Sequence, residues 1–110
     1  MKSGWGYTEY MKKSVIQKRL QEALKTSPVQ GQVSRVSLFG SHLHGTAKKD
    51  SDIDLLIEFS RPISMFALVR MEREMSRVFG KNVDLSTPRS LSRYFRADVL
   101  KEAEPLFEST

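Results

Sequence analysis

Short runs of branched and aromatic residues alternate along this sequence with longer segments whose apolar residues recur at helical spacing. The short runs cover residues 33–39, 52–59 and 81–86, and the first of them closes at Gly40. Runs of this length, rich in Val, Ile and Phe and bounded by Gly, Pro or Ser, predict strands. The alternation of strands and helices predicts an α/β layer arrangement, in which helices pack on a sheet of three or slightly more strands.

Helix signals fill the remainder of the chain. Thr8 is placed to cap the first helix and Ser64 to cap the third, while Gly80 sits where the third helix should end. Ser27-Pro28 stops the first helix and Pro105 the last. The predicted helices span residues 8–25, 41–47, 65–79 and 91–103.

The size and composition of the chain limit its class. With 110 residues we expect one domain, residues 1–110, and with no cysteine the chain has neither disulfides nor thiolate metal ligands. No apolar run approaches the ~18 residues that span a bilayer, so we expect a cytoplasmic protein away from membranes. The net charge of +5 favours phosphate-bearing or acidic partners.

Two aspartates stand at the start of the second predicted strand. Because side chains alternate along a strand, Asp52 and Asp54 share one face while Ile53 and Leu55 occupy the other. Two ionised carboxylates about 5 Å apart repel by roughly 3 kcal/mol at an effective dielectric near 20. Hard divalent cations such as Mg²⁺ take oxygen ligands and would offset that repulsion.

The first predicted strand ends at Gly40-Ser41, where the backbone turns sharply. Glycine permits the close approach of a ligand, and the first N–H groups of a helix beginning at Ser41, with its hydroxyl, suit phosphate oxygens. A third carboxylate, Asp84, lies in the third strand between Val83 and Leu85, whose side chains point the other way. A phosphate site beside paired carboxylates is what an enzyme acting on nucleoside triphosphates needs.

These residues resemble the minimal nucleotidyltransferase (MNT) family of the DNA polymerase beta-like superfamily. The pattern of that family is Gly-Ser, ten residues, Asp-x-Asp and a later third aspartate, here Gly40-Ser41, Asp52-Ile53-Asp54 and Asp84. The likeness covers most of residues 15–108. It implies a nucleotidyltransferase fold, with a small mixed sheet flanked by helices.

The resemblance also implies a function. Asp52, Asp54 and Asp84 are implied as catalytic residues that bind two Mg²⁺ ions, and Gly40 and Ser41 as the residues that hold the nucleotide. An acceptor hydroxyl would receive AMP from ATP with release of pyrophosphate. In the family the acceptor commonly lies on a HEPN-domain toxin, with the transferase acting as antitoxin. Only 26 residues follow Asp84 in this sequence, and we expect the acceptor to be supplied by such a partner.

Several alternatives stay open at this point. Many relatives have an arginine where this chain has His44, which leaves room for an antitoxin that binds its partner without turnover. A small-molecule transferase of the aminoglycoside-modifying kind, or a homo-oligomer that completes the pocket, is also open. We expect His42 and His44 to be exposed rather than zinc ligands, Lys48 and Lys49 to lie in a surface turn, and the basic stripe at positions 70, 73 and 77 to be solvated rather than to bind nucleic acid.

Overall fold

A computed structural model describes residues 12–48 and 51–109 of the chain. Within these residues the order of elements is helix, strand, short helix, strand, helix, strand, helix, strand. The helices are α1 (Lys13–Lys25), α2 (Ser41–His44), α3 (Met65–Phe79) and α4 (Arg96–Glu102). The strands are β1 (Val33–Phe39), β2 (Ile53–Phe59), β3 (Val83–Ser86) and β4 (Glu104–Glu108), and a short 3₁₀ turn at Gln30–Gln32 precedes β1.

The four strands form one mixed sheet in the order β3-β2-β1-β4. Strand β1 pairs antiparallel with both β2 and β4, whereas β2 and β3 run parallel. The predicted small mixed sheet flanked by helices is therefore confirmed.

Apolar side chains on one face of the sheet pack against α1 and α3 and form the core. Helix α1 contributes Ile16, Leu20, Ala23 and Leu24, which recur at the spacing of one helix face. Complete burial of an Ile or Leu side chain contributes about 1.5–3 kcal/mol. Asp54 lies on the opposite face of the sheet, where Leu56 is also buried.

The predicted ends of α3 are confirmed. Ser64 Oγ accepts a hydrogen bond from the Ala67 amide at 3.1 Å, which satisfies one of the donors at the start of the helix. Gly80 ends the helix in the left-handed conformation, with φ 70°, and its amide donates to the Ser76 carbonyl. The end of α1 at Lys25 is confirmed as well, but the helix begins at Lys13, after the extended residue Lys12, so its predicted start at residue 8 was wrong. The predicted cap Thr8 itself lies outside the described residues.

The prediction for the last helix was wrong at its start. Helix α4 begins at Arg96 rather than at Leu91, because the residues before it are held in turns. Thr87 and Ser90 bond to each other, and the Arg96 guanidinium donates to the Pro88 and Leu91 carbonyls. No helix among the described residues combines the length and apolar character needed to span a membrane.

The strand β4 was not predicted from the sequence. Its second residue is Pro105, and proline forces the residue before it out of the helical region. Because proline cannot donate a hydrogen bond to a sheet, it is tolerated on an edge strand, and β4 is an edge. Leu106 nevertheless packs into the core.

Candidate active site

Asp54 and Asp84 lie side by side on neighbouring strands. The parallel register of β2 and β3 pairs them directly, and neighbouring strands are about 4.8 Å apart. On the other face of the same strands Ile53, Leu55 and Val83 are buried in the core. The alternation that was expected from the sequence therefore places both carboxylates on the face opposite the core, with Asp52 just before β2.

Asp54 has an unusual protonation equilibrium. Its pKa is raised from 3.8 to about 6, first by burial, then by the negative charge of Asp84 and then by that of Asp52. Asp52 and Asp84 are exposed, whereas Asp54 is partly buried. The negative charges of Asp84 and Asp52 therefore act on Asp54 and make ionisation of its carboxyl group less favourable.

Gly40 passes directly against the Asp54 side chain. Its backbone has φ 79° and ψ −155°, a region open essentially to glycine alone. A Cβ at this position would lie 2.2 Å from Asp54 Oδ2 and 3.0 Å from its Cγ. The glycine was predicted to allow a ligand to approach, and the group that approaches it in this structure is the carboxylate of Asp54.

Ser41 begins α2, a single helical turn after Gly40. The amides of Leu43 and His44 both donate to the Gly40 carbonyl at 3.1 Å, which closes the turn. Gly45, with φ 73°, ends the helix after His44, so the predicted end at residue 47 was wrong. The chain thereby places the partly buried Ser41 directly after the residue that contacts Asp54, although the assignment of Gly40 and Ser41 to phosphate binding stays a prediction.

The donors at this site suit a hard cation. Carboxylate oxygens are the ligands that Mg²⁺ prefers, and a divalent ion would relieve the charge repulsion that raises the pKa of Asp54. Among residues 12–48 and 51–109, however, no group of three or more His, Cys, Asp or Glu side chains is arranged to hold a metal ion. The binding of Mg²⁺ by Asp52, Asp54 and Asp84 therefore stays a prediction.

The two histidines of α2 have different surroundings. His42 is 4% exposed, so the prediction that it would be exposed was wrong, and burial lowers its pKa. The reason is the tight turn at Gly40, which directs the second residue of α2 inward. His44 is exposed as predicted.

His44 has a partner that was not predicted from the sequence. Its Nε2 lies 3.1 Å from Oε2 of Glu102, at the end of α4. The two residues are 58 positions apart, and no local signal links them. This contact brings the end of α4 to the turn that follows Gly40.

The basic residues lie on the surface. Arg70 and Arg73 are exposed, and Arg77 forms an ion pair with Glu74, which agrees with the solvated helix face expected for this stripe. Lys48 is exposed, and Lys49 lies outside the described residues.

Comparison with known sequences places these features in a family context. The model of the nucleotidyltransferase domain family matches residues 16–106 of the chain. A candidate protein adenylyltransferase of Methanocaldococcus jannaschii is 41% identical over 71 residues, which make up 64% of this chain and 76% of the relative. The protein adenylyltransferase MntA of Thermococcus cleftensis is 34% identical over 70 residues, 64% of this chain and 71% of the relative.

Solved structures share the fold. A candidate minimal nucleotidyltransferase is 30% identical with a TM-score of 0.71, over 86% of this chain and 96% of that one. A complex of a tri-AMPylated Shewanella oneidensis HEPN toxin with an MNT antitoxin contains a chain that is 18% identical with a TM-score of 0.65, over 88% of this chain and 73% of that one. At 18% identity the second likeness shows the fold alone.

Proposed function

We propose a function for this chain, which belongs to the nucleotidyltransferase domain family as a minimal nucleotidyltransferase. It transfers AMP from ATP to a hydroxyl group on a HEPN-type partner protein and so acts as an antitoxin. Two relatives named as protein adenylyltransferases support the transfer of AMP to a protein. The complex of an AMPylated HEPN toxin with an MNT antitoxin supports the class of partner.

The observation that carries the proposal is the pairing of Asp54 with Asp84, with Gly40 packed against Asp54. This arrangement concentrates negative charge on one face at one end of the sheet, beside a tight turn. A structural protein gains nothing from a carboxylate whose pKa is raised to about 6 by burial and by its neighbours. A phosphoryl-transfer enzyme needs such a set of oxygens.

In the proposed reaction the oxygen of the acceptor hydroxyl attacks the α-phosphorus of ATP. A new phosphorus–oxygen bond forms, the bond to the bridging oxygen of the β-phosphate breaks, and pyrophosphate leaves. Asp84 is exposed and accepts the proton of the hydroxyl. Gly40 and Ser41 orient the triphosphate through the backbone of the turn and the Ser41 hydroxyl.

Asp52, Asp54 and Asp84 would hold two Mg²⁺ ions, which supply Lewis-acid neutralisation of the charge on the triphosphate and the pyrophosphate. The contribution of the chain is to hold these carboxylates on a rigid sheet. Asp54 is the most constrained of them, because it lies between the Gly40 backbone and the neighbouring strand.

The transfer is tested with ATP labelled on the α-phosphate, Mg²⁺ and the HEPN-type protein encoded beside this chain. We expect label on the partner, and we expect Asp54→Asn and Asp84→Asn to remove it. Asp98→Asn is the matched control, because Asp98 is exposed on α4 and is not part of the proposed site. Absence of label with the wild-type protein would refute the proposal.

A second candidate function is neutralisation of the partner by binding alone. It is favoured by His44, which lacks the guanidinium that the family resemblance leads us to expect here and which is paired with Glu102. In that case the Asp54→Asn variant would still neutralise the partner completely, and neither the wild type nor the variant would transfer label to the partner.

A further inference from the structure

Two side chains of α3 bond to the backbone of β3 on either side of Asp84. The Leu85 amide donates a hydrogen bond to Glu72 Oε2 at 2.8 Å. The Val83 amide donates to Ser76 Oγ at 2.9 Å. Ser76 Oγ in turn donates to the Glu72 carbonyl at 3.0 Å, so the hydroxyl is fixed in the direction that accepts from the strand. One turn of α3 is thereby tied to the edge of β3.

The spacing of these residues makes the double contact possible. Glu72 and Ser76 are four residues apart on a helix, a rise of about 6 Å. Val83 and Leu85 are two residues apart on a strand, a distance of about 6.6 Å. The helix and the strand run in opposite directions, so Glu72 meets the Leu85 amide and Ser76 meets the Val83 amide.

The contacts lie on the side of β3 that faces away from the sheet. The Ile53 amide donates to the Asn82 carbonyl at 2.9 Å, so the backbone at position 82 points toward β2. The alternation of a strand then turns the amides of Val83 and Leu85 outward, toward the open edge. Such edge donors are normally exposed to water or to a further strand. Here α3 takes both of them.

Asp84 is consequently held from both sides. Asp84 is in register with Asp54 on β2, and the backbone amides of the residues before and after it are bonded to side chains of α3. The strand has only four residues, and its other restraints are its pairing with β2 and the burial of Val83 and Leu85. The carboxylate of Asp84 can keep its place beside Asp54 only while the strand stays in this position.

We propose that Glu72 and Ser76 are positioning residues for Asp84. They touch neither nucleotide nor acceptor, and they act by fixing the backbone on each side of the aspartate. The effect on catalysis rests on the proposed function, whereas the effect on the position of Asp84 does not.

The first test removes the acceptor at position 72. Glu72→Met keeps a side chain of similar size without an oxygen, and Glu72→Gln keeps an oxygen that accepts from Leu85. Glu74→Met is the matched control, because Glu74 lies on the same helix and bonds to Arg77 rather than to the strand. We expect Glu72→Met to lower kcat by about tenfold to a hundredfold with the KM for ATP nearly unchanged, since small displacements of a catalytic group cost this much.

The conservative variants decide between positioning and charge. Glu72→Gln should retain most of the wild-type kcat, as should Glu74→Met. Equal kcat in Glu72→Met and Glu74→Met, or a loss in Glu72→Gln as large as in Glu72→Met, would overturn the proposal. If Glu72→Met does not fold, Ser76→Ala takes its place and Ser76→Thr, which keeps the hydroxyl, serves as the rescue.

A second readout does not depend on catalysis. The carboxyl carbon of Asp84 is followed by NMR in the protein without nucleotide, together with hydrogen exchange of the Leu85 amide. In Glu72→Met we expect a shifted or broadened Asp84 resonance, and exchange at Leu85 about tenfold faster because the hydrogen bond that protects this amide is lost. Glu72→Gln should keep the wild-type values. If the wild-type protein transfers no AMP, the proposed function fails, and an unchanged Asp84 resonance in Glu72→Met would separately overturn the positioning role.

Discussion

Substitution of Gly40 by alanine tests whether the turn and the Asp54 carboxylate are packed as the structure describes. The backbone of Gly40, with φ 79° and ψ −155°, costs about 1–3 kcal/mol for a residue with a Cβ. The new Cβ would also lie 2.2 Å from Asp54 Oδ2, so the carboxylate must leave its rotamer at a cost of about 0.5–1.5 kcal/mol. We therefore expect Gly40→Ala to lower the free energy of unfolding by about 1.5–4.5 kcal/mol.

Gly80→Ala is the matched control for this experiment. Gly80 also has a positive φ, 70°, but a Cβ there would meet nothing within 4 Å. Gly80→Ala should therefore lower the free energy of unfolding only through the left-handed backbone, by about 1–2 kcal/mol. Urea denaturation followed by circular dichroism gives both values. The same pair is then measured in an Asp54→Ala background, which removes Oδ2 and Cγ. The cost of Gly40→Ala should fall there by about 0.5–1.5 kcal/mol, the steric part of its effect.

Two results would refute this reasoning. Gly40→Ala could cost no more than Gly80→Ala, which would mean that the turn accepts a Cβ. Its cost could also be the same with and without the Asp54 side chain, which would mean that Gly40 and Asp54 are not in contact.

Three further predictions concern charge, capping and packing. The raised pKa of Asp54, about 6 against 3.8, means that the folded state binds more protons between these values, so stability falls as the pH rises through this window. The shift corresponds to ~3 kcal/mol, which we discount to about 1–2 kcal/mol because the group is partly exposed. Asn does not titrate, so without divalent cations the free energy of unfolding of Asp54→Asn, measured against that of the wild type in urea titrations, should rise by this amount between pH 4 and pH 7.5. A difference that does not change with pH would contradict the raised pKa of Asp54. Ser64→Ala should cost about 1 kcal/mol through loss of the cap on α3, with Ser64→Asp close to wild type in thermal unfolding. Leu55→Ala, in the core beneath Asp54, should cost about 2–5 kcal/mol in urea, and a loss below 1 kcal/mol would show that the site collapses to fill the space.

The anchoring of β3 also bears on solubility. A short strand at the edge of a sheet offers unpaired amides to other chains, which is a route to aggregation. Glu72 and Ser76 use the outward amides of Val83 and Leu85 for contacts within the chain. The same two side chains thus hold the strand that carries Asp84 and limit unwanted pairing at that edge.

Local signals in the sequence were sufficient for much of the fold. The strand β1 and the helix α3 were predicted with their observed ends, because apolar periodicity, a serine cap and a terminal glycine all act within a few residues. The strand β4 was missed because its length is short, its second residue is a proline and its pairing partner, β1, lies about seventy positions earlier. Pairing over such a distance leaves no local pattern.

The sequence by itself determined which residues could do chemistry and on which face they would lie. The spacing of Gly40, Asp52, Asp54 and Asp84 indicated the family, and strand alternation separated the carboxylates from the core. Only the tertiary structure decided what those residues touch: Asp54 against the Gly40 backbone, His44 against Glu102, and β3 against Glu72 and Ser76. The physical reason is that faces follow from the local geometry of the backbone, whereas neighbours follow from the register and packing of elements far apart in the chain.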